Sequence, residues 1–257
     1  MTTLAEVVSY LDTELRSADV PDYEAAFNGL QLANGGSVTR VAAAVDYSAN
    51  TVAASLRERA DLLVVHHGMF WRGSHPIVGV AFDRLRAAIS GGLAIYSSHI
   101  PLDMHPVWGN NVLLAKELSL TPDSAFGQFR GVGIGVSGKA DVPTESVVER
   151  AREYSARFET TLVATSFPKG HRTRRWAIVT GAGANSATLA EARDRGVDTL
   201  IVGEGTHHTA VEAMELGLVV LYGGHYATET LGVRALATHL ASRFGVSSVF
   251  VNVPTGL

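Results

Sequence analysis

Two stretches of this chain run through the same order of events. Arg57-Glu-Arg-Ala-Asp61 leads into the apolar run Leu62-Leu-Val-Val65, and Arg193-Asp-Arg-Gly-Val-Asp198 leads into Thr199-Leu-Ile-Val202. Further on, Gly91-Gly-Leu-Ala-Ile-Tyr96-Ser-Ser-His99-Ile-Pro-Leu-Asp103 is matched by Leu216-Gly-Leu-Val-Val-Leu-Tyr222-Gly-Gly-His225-Tyr-Ala-Thr-Glu229. Each is a strand-like run ending in Tyr, then two small residues, a His, and a carboxylate four residues later. A repeated unit of this kind predicts two similar βα lobes. Unbroken apolar runs are the signature of strands buried on both faces, which require helices on both sides of a mainly parallel sheet.

The remaining pattern agrees with an α/β chain. Leu4, Val7, Val8, Leu11 and Leu15 fall at helical spacing, and Thr3 with Glu6 spells a capping box. Strands are expected over 38–45, 62–65 and 93–96, with helices near 52–60, where Ser48 or Asn50 is the cap, and near 81–89. From about residue 126 the texture changes. Five glycines between Gly127 and Gly138 alternate with Val132, Ile134 and Val136, which predicts an edge or exposed strand. Helices are then expected over 143–158, 186–195, 209–216 and 228–244. Strands are expected over 161–167, 176–180, 199–202, 218–222 and 248–253, with a loop at 169–175. The expected lobes are 1–125 plus 223–257, carrying the metal ligands, and 126–222.

Composition narrows the classes. The 257 residues include no cysteine, which excludes disulfide scaffolds, Cys-ligated metal sites and thiol catalysis. A formal charge of −4 gives no general attraction to nucleic acid or anionic membrane. No apolar run approaches the roughly 18 residues of a spanning helix, and Met1–Glu6 has no basic leader region. A soluble, cytoplasmic protein is expected. Lys169, Arg172, Arg174 and Arg175 form a basic stretch beside Phe167 and Trp176, readable as a nucleic-acid contact but better as a solvated loop. Gly181-Ala-Gly-Ala-Asn185 is a strand-to-helix turn able to approach an anion, without the third glycine of a dinucleotide fingerprint.

Three strand ends carry histidine: His66-His67, His99 and His225. Ligands of open parallel sheets usually bind at this carboxyl edge. Neighbours on an extended strand face opposite ways, but a turn at the strand end can bring both rings of His66-His67 to one cavity. With Asp103 and Glu229 they make four imidazoles and two carboxylates, a donor set for two divalent ions that suits Zn²⁺, Fe²⁺ or Mn²⁺. The bland reading, capping or hydrogen-bonding histidines, weakens as three such strand ends accumulate. Asp46 ends a strand at the same edge, as a helix cap or a partner of a ligand histidine. Glu204 either orients a ligand histidine or opens a helix.

The segments His66-His-Gly-Met-Phe-Trp71, His99-Ile-Pro-Leu-Asp-Met-His105-Pro with Gly109-Asn-Asn111, and Gly224-His-Tyr-Ala-Thr-Glu229 resemble the signatures of the Nif-three-like family. Its members have a dinuclear metal centre and are often labelled GTP cyclohydrolase I type 2 homologue. Asn28-Gly-Leu-Gln31 is also typical, and the resemblance covers nearly the whole chain. Gly68 stands where many members have proline. The resemblance implies two interlocked α/β lobes in a toroidal homo-hexamer. It implies that His66, His67, Asp103, His225 and Glu229 hold two metal ions per subunit, with His99 a ligand or beside one, and Glu229 or Asp103 as the bridge. It also turns His208 toward the metal cavity, as proton donor or substrate anchor, against the alternative of a histidine bonded to backbone at a helix start.

The functional expectation is a metal-dependent hydrolase acting on a phosphoester or nucleotide-like small molecule. Its rivals are a non-catalytic hexamer that binds metal or serves as an interaction platform, and a nucleic-acid-binding ring using Lys169–Arg175.

Overall fold

The structure is a computed structural model that describes residues 2–71, 73 and 75–257. Met1 lies outside the described residues. The elements in chain order are α1 (Leu4–Leu15), β1 (Gly29–Leu32), β2 (Arg40–Asp46), α2 (Ala49–Arg57), β3 (Leu62–His67), α3 (Val80–Ser90), β4 (Ala94–Ser97), α4 (Ile100–Asp103) and α5 (Asn110–Glu117). They continue with β5 (Ser124–Phe129), β6 (Val132–Pro143), α6 (Thr144–Ala156), β7 (Val163–Ala164), β8 (Arg172–Val179), α7 (Ser186–Asp194), β9 (Thr199–Val202), α8 (His207–Glu215), β10 (Val219–Tyr222), α9 (His225–Phe244) and β11 (Ser247–Phe250). Contacts divide the chain into a first unit, Met1–His105 with Gly232–Val253, and a second, Pro106–Leu231 with Pro254–Leu257. The division falls inside α9. No helix among the described residues is long and apolar enough to cross a membrane.

The first unit holds a five-stranded sheet in the order β1-β4-β3-β2-β11. Strands β4, β3, β2 and β11 run parallel, and β1 pairs antiparallel with β4. The central strands are apolar over Val41–Val45 and Leu62–Val65 because both faces are covered. Leu63 and Val65 of β3 pack with Val52 of α2 and Ala88 of α3. Helix α1 starts as its sequence dictates: Thr3 accepts from the Glu6 amide, and Glu6 reaches back to the Thr3 amide. Ser48, not Asp46 or Asn50, caps α2.

The second unit holds a six-stranded sheet in the order β5-β6-β8-β9-β10-β7. Here the expectation of a mainly parallel sheet is corrected. Only β8-β9 and β9-β10 are parallel, while β5-β6, β6-β8 and β10-β7 are antiparallel. The repeat is nevertheless explicit: three parallel strands joined through helices, with an antiparallel strand beside the third, occur once in each unit (β2, β3, β4, β1 and β8, β9, β10, β7).

The glycine-rich strand is not an edge. β6 lies between β5 and β8, and its glycines answer to close approach. A Cβ on Gly135 would sit 2.2 Å from the Ile178 carbonyl oxygen, and one on Gly138 would sit 2.6 Å from the Thr121 carbonyl oxygen. The expected loop at 169–175 is half strand, since β8 begins at Arg172. Its basic residues find local partners: the Arg172 Nε donates to Asp141 at 2.5 Å, the Arg174 and Arg175 amides donate to Asp198, and the Arg175 guanidinium donates to the Arg195 carbonyl. The expected strand over 161–167 shrinks to the two residues of β7. Helix α5 had no counterpart in the sequence reading.

Candidate metal centre

In the first unit β3 does not stop at Val65 but runs through both histidines. Pairing with β4 ends at Val65–Ser97, while pairing with β2 continues to Asp46–His67. The two rings therefore lie at a sheet edge with one neighbour gone. They do not diverge as free-strand alternation would require: their centroids are 4.8 Å apart. His99 immediately precedes the short helix α4, and Asp103 is the last residue of that helix. The His66 and His99 rings are 4.8 Å apart, and those of His67 and His99 5.6 Å. All four side chains are buried.

Each ring is held through its Nδ1. His66 donates to the Ser98 carbonyl at 3.0 Å, His67 to the Asp46 carboxylate at 2.9 Å, and His99 to the Asp22 carboxylate at 2.8 Å. These partners accept only, so each Nδ1 carries a proton, and the neutral form of such a ring has its lone pair on Nε2. This is the arrangement in which an outer oxygen sets the tautomer and orientation of a metal-ligating histidine. His66, His67 and His99 offer ring nitrogens that all lie within 4.8 Å of one another, a group able to hold a metal ion. The Asp103 carboxylate is 3.5 Å from the Nε2 of His66. Two donors on one tetrahedral ion, each about 2.0–2.1 Å from it, are separated by about 3.4 Å. The His66–Asp103 separation is therefore close to that of two ligands sharing one ion, and the buried group could hold a metal ion.

Asp22 was not singled out from the sequence, and it does much of the holding. Besides His99 it accepts from the Tyr23 amide at 2.7 Å, the Asn28 side chain at 2.8 Å and the Ile100 amide at 3.0 Å. Burial pushes its carboxyl up, but the His99 contact and the other donors outweigh it and leave the pKa below the usual aspartate value. The Asn28–Gln31 segment has a comparable role. Asn28 accepts from the His99 amide at 2.8 Å, and Gln31 accepts from the Met69 amide at 2.6 Å. A Cβ at Gly68 would meet the Gln31 amide at 2.3 Å, so Gly68 is what lets Gln31 clamp the turn after His67. The Trp71 ring lies 4.7 Å from His67 and 4.6 Å from His99 and covers the cluster on that side.

In the second unit His225 opens α9 and Glu229 follows one turn later on the same face. The His225 Nε2 is 3.0 Å from Glu229, and its Nδ1 is 2.8 Å from Glu204. Burial draws the imidazole pKa down, but Glu229 and Glu204 together push it up to about 10. Gly181 has φ +63°, and a Cβ there would fall 2.0 Å from the Glu229 carboxylate. The glycine turn thus makes room for an acid, not for a phosphate, and Asn185 at its end caps α7. His208 is exposed, the second residue of α8, with its Nδ1 3.0 Å from the Thr206 hydroxyl. A cavity of about 400 Å³ is lined by Glu204, Gly205, Thr206, His207 and Tyr222, among others, and His208 is not among its lining residues.

Two α/β units built on one strand-helix plan, with a buried imidazole and carboxylate cluster at a sheet edge, define a candidate metalloprotein of the α/β class. The comparisons specify which. The model of the Duf34/NIF3 (NGG1p interacting factor 3) family matches residues 2–255, and this chain belongs to that family. A protein of Deinococcus radiodurans named GTP cyclohydrolase 1 type 2 homolog is 40% identical over 255 residues, covering 98% of this chain and 94% of the relative. One of the same name from Pyrococcus abyssi is 38% identical over 252 residues, 98% of each. Among solved structures, the protein ybgI, described as of unknown function, superposes with a TM-score of 0.88 at 29% identity, and TTHA1606 from Thermus thermophilus with 0.84 at 35%; each alignment covers 100% of both chains.

Proposed function

We propose that this protein is a metal-dependent hydrolase with two divalent ions (Zn, Fe or Mn) per chain, acting on a phosphoester or nucleotide-like substrate and assembled as a toroidal hexamer. The proposed ligands are His66, His67, His99, Asp103, His225 and Glu229, as the family resemblance implies. The observation that carries the reading is the convergence of three buried histidines whose Nδ1 atoms are all committed to oxygen acceptors. When bound, such ions supply Lewis-acid polarisation of a phosphoryl group and an acidified water.

The chain's own residues do the rest. The Ser98 carbonyl, Asp46 and Asp22 hold three rings in the ligating tautomer, and Glu204 takes the same position at His225. The Trp71 ring limits bulk water beside His67 and His99. His208, exposed at the start of α8, is assigned as proton donor or substrate anchor.

The test is a panel of phosphodiesters and nucleotides presented to metal-loaded protein, with the doubly substituted His66→Ala/His67→Ala protein as control. Turnover in the wild type and none in the control supports the hydrolase. Stoichiometric metal with no turnover above the control removes it and leaves a metal-holding assembly. Sedimentation velocity tests the hexamer.

A further inference from the structure

The first unit contains a further pocket, and none of its lining residues is a proposed metal ligand. It is a cavity of about 180 Å³ lined by Tyr47, Met69, Phe70, His75 and Arg84, among others. Its polar side chains are a phenol, an imidazole and a guanidinium, all able to donate, and none of its lining residues is acidic. Arg84 is half-buried on α3, stacked 4.3 Å over the Tyr47 ring. Its hydrogen bond is a long one, Nη1 to the Tyr47 carbonyl at 3.4 Å. The contrast on the same helix is direct: Arg86 pairs with Asp83 at 3.2 Å, whereas Arg84 meets no carboxylate among the described residues.

Two polar atoms of the lining residues, the Nε of Arg84 and the hydroxyl of Tyr47, whose side chain is more than nine-tenths buried, have no hydrogen-bond partner among the described residues. An unmet buried donor costs about 1–3 kcal/mol, more when charged, so a guanidinium with no carboxylate partner in an acid-free pocket favours an anionic acceptor there. The cation–π contact with Tyr47 offsets part of the cost of the guanidinium. The void is smaller than the roughly 300–1,000 Å³ of a whole-ligand pocket. It fits one group.

We propose that Arg84 and Tyr47 form an oxyanion subsite that takes a phosphate group. A phosphate oxygen accepts the pattern left open here, since a guanidinium fork and a hydroxyl both donate to it. The pocket is tied to the histidine cluster through the backbone, because the Tyr47 amide donates to the His67 carbonyl at 2.9 Å and Asp46, next to Tyr47, holds the His67 ring. That the phosphate belongs to the substrate of the neighbouring cluster rests on the hydrolase reading; that the pocket binds phosphate does not.

Calorimetric titration at constant ionic strength, with inorganic phosphate and a nucleoside monophosphate in parallel, tests it. Saturable binding is expected in the wild type and in the His66→Ala/His67→Ala protein. It should weaken at least roughly tenfold in Arg84→Met, less in Arg84→Lys, and measurably in Tyr47→Phe, with circular dichroism checking the fold of each. Tighter binding of the nucleotide makes the group part of a larger ligand, and equal binding makes it a free phosphate. No saturable binding in the wild type, unchanged binding in Arg84→Met, or binding that disappears with the histidines overturns the subsite. An inactive protein that still loses phosphate on Arg84→Met refutes the hydrolase and keeps the subsite.

Discussion

Asp22→Asn probes the His99 tautomer, because the substitution is isosteric and replaces one charged acceptor oxygen with an NH₂ donor. One Asp22 oxygen accepts from His99 Nδ1 and the Tyr23 amide, and the other from the Asn28 side chain and the Ile100 amide. Whichever way the new amide turns, its NH₂ faces two donors. If it faces His99, the ring must place its lone pair on Nδ1 and its proton on Nε2, where it no longer ligates. A hydrogen bond to a charged group contributes about 1.5–3 kcal/mol, so losing two from a buried site should destabilise the fold by about 3–5 kcal/mol. Metal affinity should fall roughly 10–100-fold, the usual effect of removing an outer partner of a ligand histidine. Chelator competition measures the affinity and urea unfolding the stability. The folded Asp22 pKa is depressed, so its contribution is present above the unfolded value of 3.8 and is lost as pH falls through the lower folded value; Asp22→Asn should flatten the acid limb of the stability curve. An Asp22→Asn protein that binds metal within twofold of wild type, with an unchanged urea midpoint, would refute this chain of reasoning.

In the metal-free protein the His225 pKa of about 10 is raised above the unfolded value of 6.5. Its stabilisation is therefore complete below about 6.5 and lost as pH rises through about 10, and Glu204→Gln should shrink that alkaline loss in thermal melts. Metal uptake near pH 8 should release a proton from this ring, read as buffer-dependent enthalpy in calorimetry. Gly181→Ala places a Cβ 2.0 Å from the Glu229 carboxylate at φ +63° and should cost about 1–3 kcal/mol in urea unfolding while lowering metal content. Gly135→Ala, 2.2 Å from the Ile178 carbonyl oxygen, should cost a similar amount but leave metal content per folded chain unchanged.

The parts of the fold legible from sequence are those specified locally. Thr3 and Glu6 announce α1, and Leu62–Val65 reads as a doubly covered strand because neither face has a polar residue. The histidine cluster was legible through repetition, since a His followed by an acid four residues later occurs after two Tyr-ended strands. Asp22 was not legible: it sits in an irregular segment 77 residues before His99, and nothing local marks it as that ring's partner. The inner position of β6 was hidden because its glycines read as weakness, when they answer to the Ile178 and Thr121 carbonyls and to Trp176. Arg172, Arg174 and Arg175 disguised the start of β8 as a loop, although the Arg172 side chain is taken up by Asp141 and the Arg174 and Arg175 amides by Asp198.

Metal analysis with anomalous diffraction on the purified protein tests the histidine cluster most directly. The expected result is a divalent transition-metal ion about 2.0–2.1 Å from the Nε2 atoms of His66, His67 and His99, absent from the His66→Ala/His67→Ala protein. Wild-type protein that stays metal-free after incubation with Zn²⁺, Fe²⁺ or Mn²⁺, or that binds the ion through Nδ1 atoms instead, would contradict it.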